Sequence, residues 1–225
     1  MLKLHHQHPW DLTTAEAKEV QENLRQYVIC QDQFQEPIKL VAGVDAGFEN
    51  KFETICVAVA VLSFPELEVI ETKVIRRPTT FPYVPGYLSF RELPTIVEAL
   101  GEIENFPDLI LCDGQGYAHP RRFGLACHLG VLLDCPTIGV AKSRYIGEHD
   151  ELPLEKGEWV NLMDKDERIG AVLRSRKKVR PLYISVGHRI SLETAIAYVL
   201  ACTPKYRLPE TTRIADHLAS HAKDV

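Results

Sequence analysis

Hydrophobic and polar residues follow two periods along this chain, and the changes of period mark its elements. Near the N-terminus Thr13-x-x-Glu16 has the spacing of a capping box, and Ala17, Val20, Leu24, Tyr27 and Val28 follow at helical intervals. After a loop holding Pro37, residues 40–44 form a short apolar run that ends at Asp45-Ala46-Gly47. Segments 54–63 and 67–75 are rich in β-formers and joined by the turn-like Phe64-Pro65-Glu66, so three strands on short connections predict an antiparallel meander. A proline-rich loop, 78–86, leads to a predicted helix over 89–104. Residues 109–112 are a strand ending at Asp113, a helix is predicted over 121–133, and 136–141 is another apolar strand. Strand, helix, strand at that spacing is a parallel βαβ unit. Strands near 169–173 and 182–186 and helices near 191–202 and 210–222 complete the pattern. The expected fold class is α/β, with one mixed sheet flanked by helices, its antiparallel part first and its parallel part second. No repeat or linker divides the 225 residues, which read as a single domain, 1–225.

Composition narrows the function more than the fold. With 45% hydrophobic and 25% charged residues the chain is globular, and its net charge of −5 excludes a uniformly basic nucleic-acid coat. The charge is uneven: residues 1–110 hold 9 Lys/Arg against 17 Asp/Glu, and residues 111–225 hold 17 against 14. A basic patch in the second half therefore stays open. Cys30, Cys56, Cys112, Cys127, Cys135 and Cys202 have no C-x-x-C spacing and read as small buried hydrophobes in a reducing compartment. No N-terminal apolar segment of signal-peptide form and no run of membrane-spanning length occurs, so the expectation is a soluble cytoplasmic protein.

Candidate chemistry collects where apolar strands end. Val41-Ala42-Gly43-Val44-Asp45 and Leu109-Ile110-Leu111-Cys112-Asp113 share one form, and the carboxyl ends of parallel strands face the ligand crevice of α/β sheets. Singly, each aspartate reads as a turn residue. As a pair on neighbouring strands they repel unless a cation lies between them, and oxygen ligands favour Mg²⁺ or Mn²⁺. Asp113-Gly114-Gln115-Gly116 followed by His119-Pro120-Arg121-Arg122 at a predicted helix start suits an anion or a flat base, although a lone G-x-G is equally a turn. Glu92 stands three residues after Ser89, which favours a helix cap over a third carboxylate. Phe81-Pro82-Tyr83-Val84-Pro85-Gly86 brackets an aromatic with prolines; on local grounds it is a turn packed on the core, and its alternative is a wedge between stacked bases. Lys142 follows the 137–141 strand and suits charge neutralisation on a phosphate. Arg174-Ser175-Arg176-Lys177-Lys178-Val179-Arg180 reads as a solvated hairpin tip or as a footprint for a phosphate backbone. His5, His6 and His8 read as a flexible tail, His128 as a core histidine, and His188 as either ligand or turn residue. Asp216, in the last helix, is a surface charge beside Arg213 or a fourth carboxylate.

Taken together and in this order, these segments resemble the endonuclease V (deoxyinosine 3′-endonuclease) family. The likeness also takes in Leu88-Ser89-Phe90-Arg91-Glu92, Thr137-Ile138-Gly139-Val140-Ala141-Lys142-Ser143, Gly187-His188 and Pro209-Glu210-Thr211-Thr212-Arg213, and spans about 40–216. The resemblance implies a ribonuclease H-like fold, three antiparallel strands followed by parallel ones. It implies a Mg²⁺-dependent DNA repair nuclease, with Mn²⁺ as substitute, acting as a monomer on DNA containing deoxyinosine. The second phosphodiester bond 3′ to the lesion would be hydrolysed, leaving 3′-hydroxyl and 5′-phosphate ends. By that likeness Asp45 and Asp113 bind the ion, and Glu92, Lys142 and Asp216 complete the catalytic set. Tyr83, with Pro82, Val84 and Pro85, is the wedge. His119 contacts nucleic acid, and Gly86, Leu88, Gly114 and Gly116 line the base pocket. The family carries His or Asp where Asp216 stands, which bears on whether one ion binds or two. Alternatives are an endoribonuclease acting on inosine-containing RNA and a non-catalytic inosine-binding module; intact carboxylates aimed at a phosphate weigh against the latter.

Overall fold

A computed structural model describes residues 2–221. Its centre is β1 (Leu40–Glu49), flanked by β2 (Thr54–Ser63) on one side and β4 (Leu109–Cys112) on the other. With β3 (Val69–Pro78), β5 (Thr137–Ala141), β6 (Trp159–Asp164), β7 (Glu167–Leu173) and β8 (Leu182–His188), the sheet order is β3-β2-β1-β4-β5-β8-β7-β6. The first three strands form the expected antiparallel meander, and β4 and β5 run parallel to β1. Beyond them β8, β7 and β6 return to antiparallel pairing. The sequence reading missed β6 because it is a half-exposed edge strand without an apolar run.

Alternation along the strands sorts side chains onto two cores. Val41, Leu111, Ile138 and Val140 belong to the face covered by α4 (Leu192–Ala201) and α5 (Glu210–His221). Ala42, Val44, Ile110 and Cys112 face α2 (Leu88–Gly101) and α3 (Leu125–Leu133). Because strand side chains repeat every two residues, each run on the α5 side is continued by a polar residue: Val41-Gly43-Asp45, Leu109-Leu111-Asp113 and Ile138-Val140-Lys142. Helix α5 sits so close to β1 that a Cβ on Gly43 would lie 2.2 Å from the Thr211 backbone, with Ala215 and Ala219 buried further along the helix. That contact sets the height of Asp216 above the strand ends.

Four local expectations change. Asp45 does not end its strand: β1 continues to Glu49 against β2, and Asp45 stands where the parallel neighbour β4 stops. Helix α3 opens at Leu125 after Gly124, and Arg122 has φ 55°, so His119–Arg122 form a turn before the helix and not its first turn. The capping box at Thr13 is present on α1 (Thr14–Leu24), but Val28 lies outside the helix. The histidine tail packs down, His5 donating its backbone N–H to Leu132 O at 2.8 Å and His8 meeting His128.

Gly43→Ala is expected to cost about 1–3 kcal/mol, the range of an overpacked contact, by pushing α5 off the sheet. Urea unfolding of the variant checks this; a wild-type midpoint would mean that α5 is free to shift.

Candidate active site

Three carboxylates converge on the α5 face of the sheet. One oxygen from each of Asp45, Asp113 and Asp216 lies within 4.8 Å of the other two. Lys142, from the end of β5, brings its ammonium among them, bonded to Asp113, 2.6 Å from Asp216 and 3.9 Å from Asp45. Asp216 therefore joins the cluster and leaves Arg213 to pair with Glu210. Burial, and then the Asp113 charge, push the Asp45 carboxyl up to about 8 although Lys142 pulls the other way. Asp113 is raised by burial as well, against the pull of the Lys142 ammonium bonded to it. Asp216 is partly buried, yet the Lys142 bond holds it below the usual range. Lys142 keeps its charge despite burial because the carboxylates around it outweigh desolvation.

Glu92 is 6% exposed and near this cluster, its carboxyl raised by burial and by the charges of Asp45 and Asp113. The expected cap is not formed: Tyr87 is the N-cap of α2 and no side chain caps it. Ser89 bonds elsewhere, through a chain whose tautomers follow from its ends. His8 Nδ1 meets the Pro9 carbonyl and so carries a proton; His8 Nε2 then accepts from His128 Nε2–H at 2.8 Å, and His128 Nδ1 accepts the Ser89 hydroxyl at 3.0 Å. Burial lowers both imidazoles, in keeping with this neutral chain.

Beside the carboxylates opens a cavity of about 350 Å³. Val84, Pro85, Gly86 and Leu88 form one wall, Asp113, Gly114 and Gln115 the floor, and Lys142, Ser143 and Tyr145 the opposite side. Gly116 is not in that wall; it packs against the Val186 carbonyl so tightly that a Cβ would lie 2.1 Å away. Tyr83, at the cavity mouth, is 73% exposed and not packed on the core as local reasoning preferred, and Pro82 beside it is exposed too.

What keeps this loop in place is one carbonyl. Gly86 O accepts from Gln21 Nε2 at 3.0 Å, His119 Nε2 at 3.1 Å and Arg121 Nη2 at 2.7 Å. Arg121 Nε also donates to Gln21 Oε1 at 2.6 Å, and its guanidinium lies 4.4 Å over the Tyr87 ring. His119 Nδ1 accepts the Arg121 backbone N–H, so both ring nitrogens are engaged inside the protein. Burial, then the Arg121 charge, lower His119 to about 4, which keeps it neutral. Sequence reasoning missed Gln21, whose signal was a polar residue four positions after Ala17 on the apolar stripe of α1.

A mixed sheet that ends in clustered carboxylates and a lysine, beside a cavity the size of a base, defines a nuclease of the ribonuclease H-like fold. The family model described as Endonuclease V matches residues 22–217. An endonuclease V of Trichormus variabilis is 61% identical over 220 residues, 98% of this chain and all of that protein, and one from Nostoc punctiforme is 62% identical over 219 residues, 97% and 99%. Among solved structures, the Streptomyces avermitilis endonuclease V superposes with TM-score 0.90 at 43% identity, covering 96% of this chain and 95% of that one. The Ciona intestinalis enzyme, in complex with DNA containing an inosine followed by a ribo-adenosine, has TM-score 0.82 and 31% identity, covering 93% and 97%. The chain belongs to the endonuclease V family. No helix among the described residues is long and apolar enough to cross a membrane.

Asp45→Asn is expected to abolish cleavage and yet stabilise the protein in EDTA by about 1–2 kcal/mol, a trade typical of strained active sites. The Asp45 carboxyl rises from 3.8 to about 8 on folding, so the fold prefers its protonated form. The penalty is absent below about pH 4 and complete above about pH 8, and the gain should grow across that window. Denaturant midpoints at several pH values test it; equal stability at pH 8 would refute the repulsion.

Proposed function

We propose that the protein is a deoxyinosine 3′-endonuclease, which hydrolyses the second phosphodiester bond 3′ to a deaminated adenine and leaves 3′-hydroxyl and 5′-phosphate ends. The observation that carries this reading is the adjacency of the carboxylate cluster to a base-sized cavity whose mouth bears the exposed Tyr83. The Ciona relative in complex with inosine-containing DNA supports the same substrate. So does Gln115 at the cavity floor: its Nε2 donates to Ser143 O, while its Oε1 is buried without a partner. An unsatisfied buried acceptor favours a ligand edge that presents an N–H, as hypoxanthine does at N1.

The donor set is all carboxylate oxygen, which fits a hard divalent cation such as Mg²⁺, with Mn²⁺ as substitute. Asp45 and Asp113 would hold it, and Asp216 and Glu92 would complete the negative shell. Bound there, such an ion supplies Lewis-acid charge for a phosphate oxygen and a water of lowered pKa. The residues do the rest. Gly86, Leu88 and Gly114 receive the displaced base against backbone, and Tyr83 fills the gap it leaves, with Pro82, Val84 and Pro85 stiffening the loop. The hydrogen bond from His119 Nε2 to Gly86 O positions that loop against the nucleic acid. Lys142, already among the carboxylates, adds positive charge as the phosphate gains negative charge, an effect of roughly 10²–10³ in rate for comparable preorganised groups.

A 5′-labelled oligonucleotide with one deoxyinosine, incubated with Mg²⁺ or with EDTA, tests the reaction. A single Mg²⁺-dependent cut one nucleotide beyond the inosine is expected; a cut at another bond, or cutting in EDTA, would overturn the assignment. The same sequence as RNA tests the second reading, favoured by the ribo-adenosine after the inosine in the Ciona complexes: faster cleavage of RNA would make RNA the substrate. Tyr83→Ala is expected to lower the inosine-to-adenine cleavage ratio about tenfold, in line with about 1–3 kcal/mol per stacked base. An unchanged ratio would remove the wedge.

A further inference from the structure

The basic run 174–180 is not a single feature once folded. Arg174 turns inward, with Nε on the Pro153 carbonyl at 3.0 Å, and Lys177 pairs with Glu155 at 2.7 Å. Arg176, Lys178 and Arg180 stay exposed, as do Arg144 and Lys205, and no carboxylate of the described residues lies within ion-pair distance of any of the five. In a chain of net charge −5 these uncompensated cations gather in one region.

One half-buried guanidinium gathers them. Arg207 Nη2 donates to the carbonyls of Lys142 and Pro181, each at 2.8 Å, and its Nε to that of Arg180 at 2.9 Å. The Arg207 carbonyl in turn accepts the Ser175 hydroxyl at 2.6 Å. Next to it Tyr206 is 40% exposed, with the Arg213 guanidinium 4.6 Å and the Lys205 ammonium 5.3 Å from its ring centre. Exposed aromatic and cations side by side form the combination that binds single-stranded nucleic acid, phosphates on the cations and a base on the ring. This rim attaches to the backbone of Lys142, whose side chain reaches the carboxylates, and none of the rim residues lines the cavity. Lys142 thus links the two, its side chain lining the cavity among the carboxylates and its carbonyl bonded to Arg207 of the rim.

We propose that Arg176, Lys178, Arg180, Lys205 and Tyr206 form a binding track for the DNA strand on the 3′ side of the cut. The direction rests on the function proposed above: with the base in the cavity and the second 3′ phosphodiester bond at the carboxylates, a strand running from one to the other reaches the rim with its 3′ portion. The 5′ portion leaves on the side of Tyr83.

The test is a flank-length series on single-stranded oligonucleotides bearing one deoxyinosine: long on both sides, trimmed on the 3′ side to just beyond the cut, or trimmed on the 5′ side. Two variants are compared with wild type, the triple change Arg176→Gln, Lys178→Gln, Lys205→Gln and the single change Tyr206→Ala. On the long and the 5′-trimmed substrates both should raise KM about tenfold with kcat changed less than twofold, and on the 3′-trimmed substrate they should match wild type. Binding in EDTA should follow the same pattern, and the triple variant should lose about 2 from the slope of log affinity against log salt, given about 0.7 per phosphate contact on a single strand. A penalty that disappears with the 5′ flank, or an unchanged salt slope and KM, would overturn the track. Failure of wild type to cut at inosine would strike the proposed function, while the EDTA binding series would still decide whether the rim holds the 3′ flank.

Discussion

Mutual repulsion among the carboxylates where β4 ends beside the middle of β1 is the constraint around which the structure is arranged. At an effective dielectric of about 20, two unit charges at 4 Å interact by about 4 kcal/mol, a large share of the stability of a domain this size. The fold contains that cost by two devices visible at once. Lys142 puts an ammonium among the acids, and Asp216 is left half-exposed where water screens it. Each device depends on backbone placement: parallel register sets Asp45 beside Asp113, β5 supplies Lys142 on the same face, and the Gly43–Thr211 contact fixes the height of α5.

The cavity is built on a different principle. Its wall has no regular structure between β3 and α2, so its shape depends on whatever holds that loop, and Gly86 O is the point where it is held. Three donors on one carbonyl exceed its two lone pairs, so the bonds share the site and none is ideal. The benefit is that α1, the turn before α3 and the start of α2 are tied together within a few ångströms of the cavity. A loop held at Gly86 with an exposed tip suits the base displacement proposed above, because a held loop has less ordering entropy to lose on binding.

Much of this was legible in the sequence because buried strands leave apolar runs, and β2, β4 and the pair Asp45 and Asp113 were read from them. The errors have physical causes. Beyond Asp45, Ala46-Gly47-Phe48 has only one neighbouring strand and is half-buried, so its pattern looks like a turn. Glu92 stands at the capping-box distance from Ser89, but i and i+3 also share a helix face, and tertiary contacts to His128 and to the aspartates decided between them. The turn at 119–122 has a helix-opening composition and a left-handed residue in it, which composition alone does not reveal. Gln21 and Arg207 act through backbone carbonyls far away in sequence, and such partners leave no local pattern.

A net-acidic nuclease must still attract a polyanion. Locally the carboxylate cluster is a poor place for a phosphate: one ammonium does not balance three aspartates, and Glu92 lies buried beside them. An arriving phosphodiester adds negative charge to a site that resists it, unless further positive charge enters at the same step. A cation at these carboxylates and the proposed substrate would therefore be linked, each improving the affinity for the other by the same factor. Such linkage suits an enzyme that meets far more undamaged than damaged DNA. On the function and track proposed above, charge on the rim would bring any strand near, whereas close approach of a phosphate to the carboxylates would be favourable only with the base beside it seated and the charge there balanced.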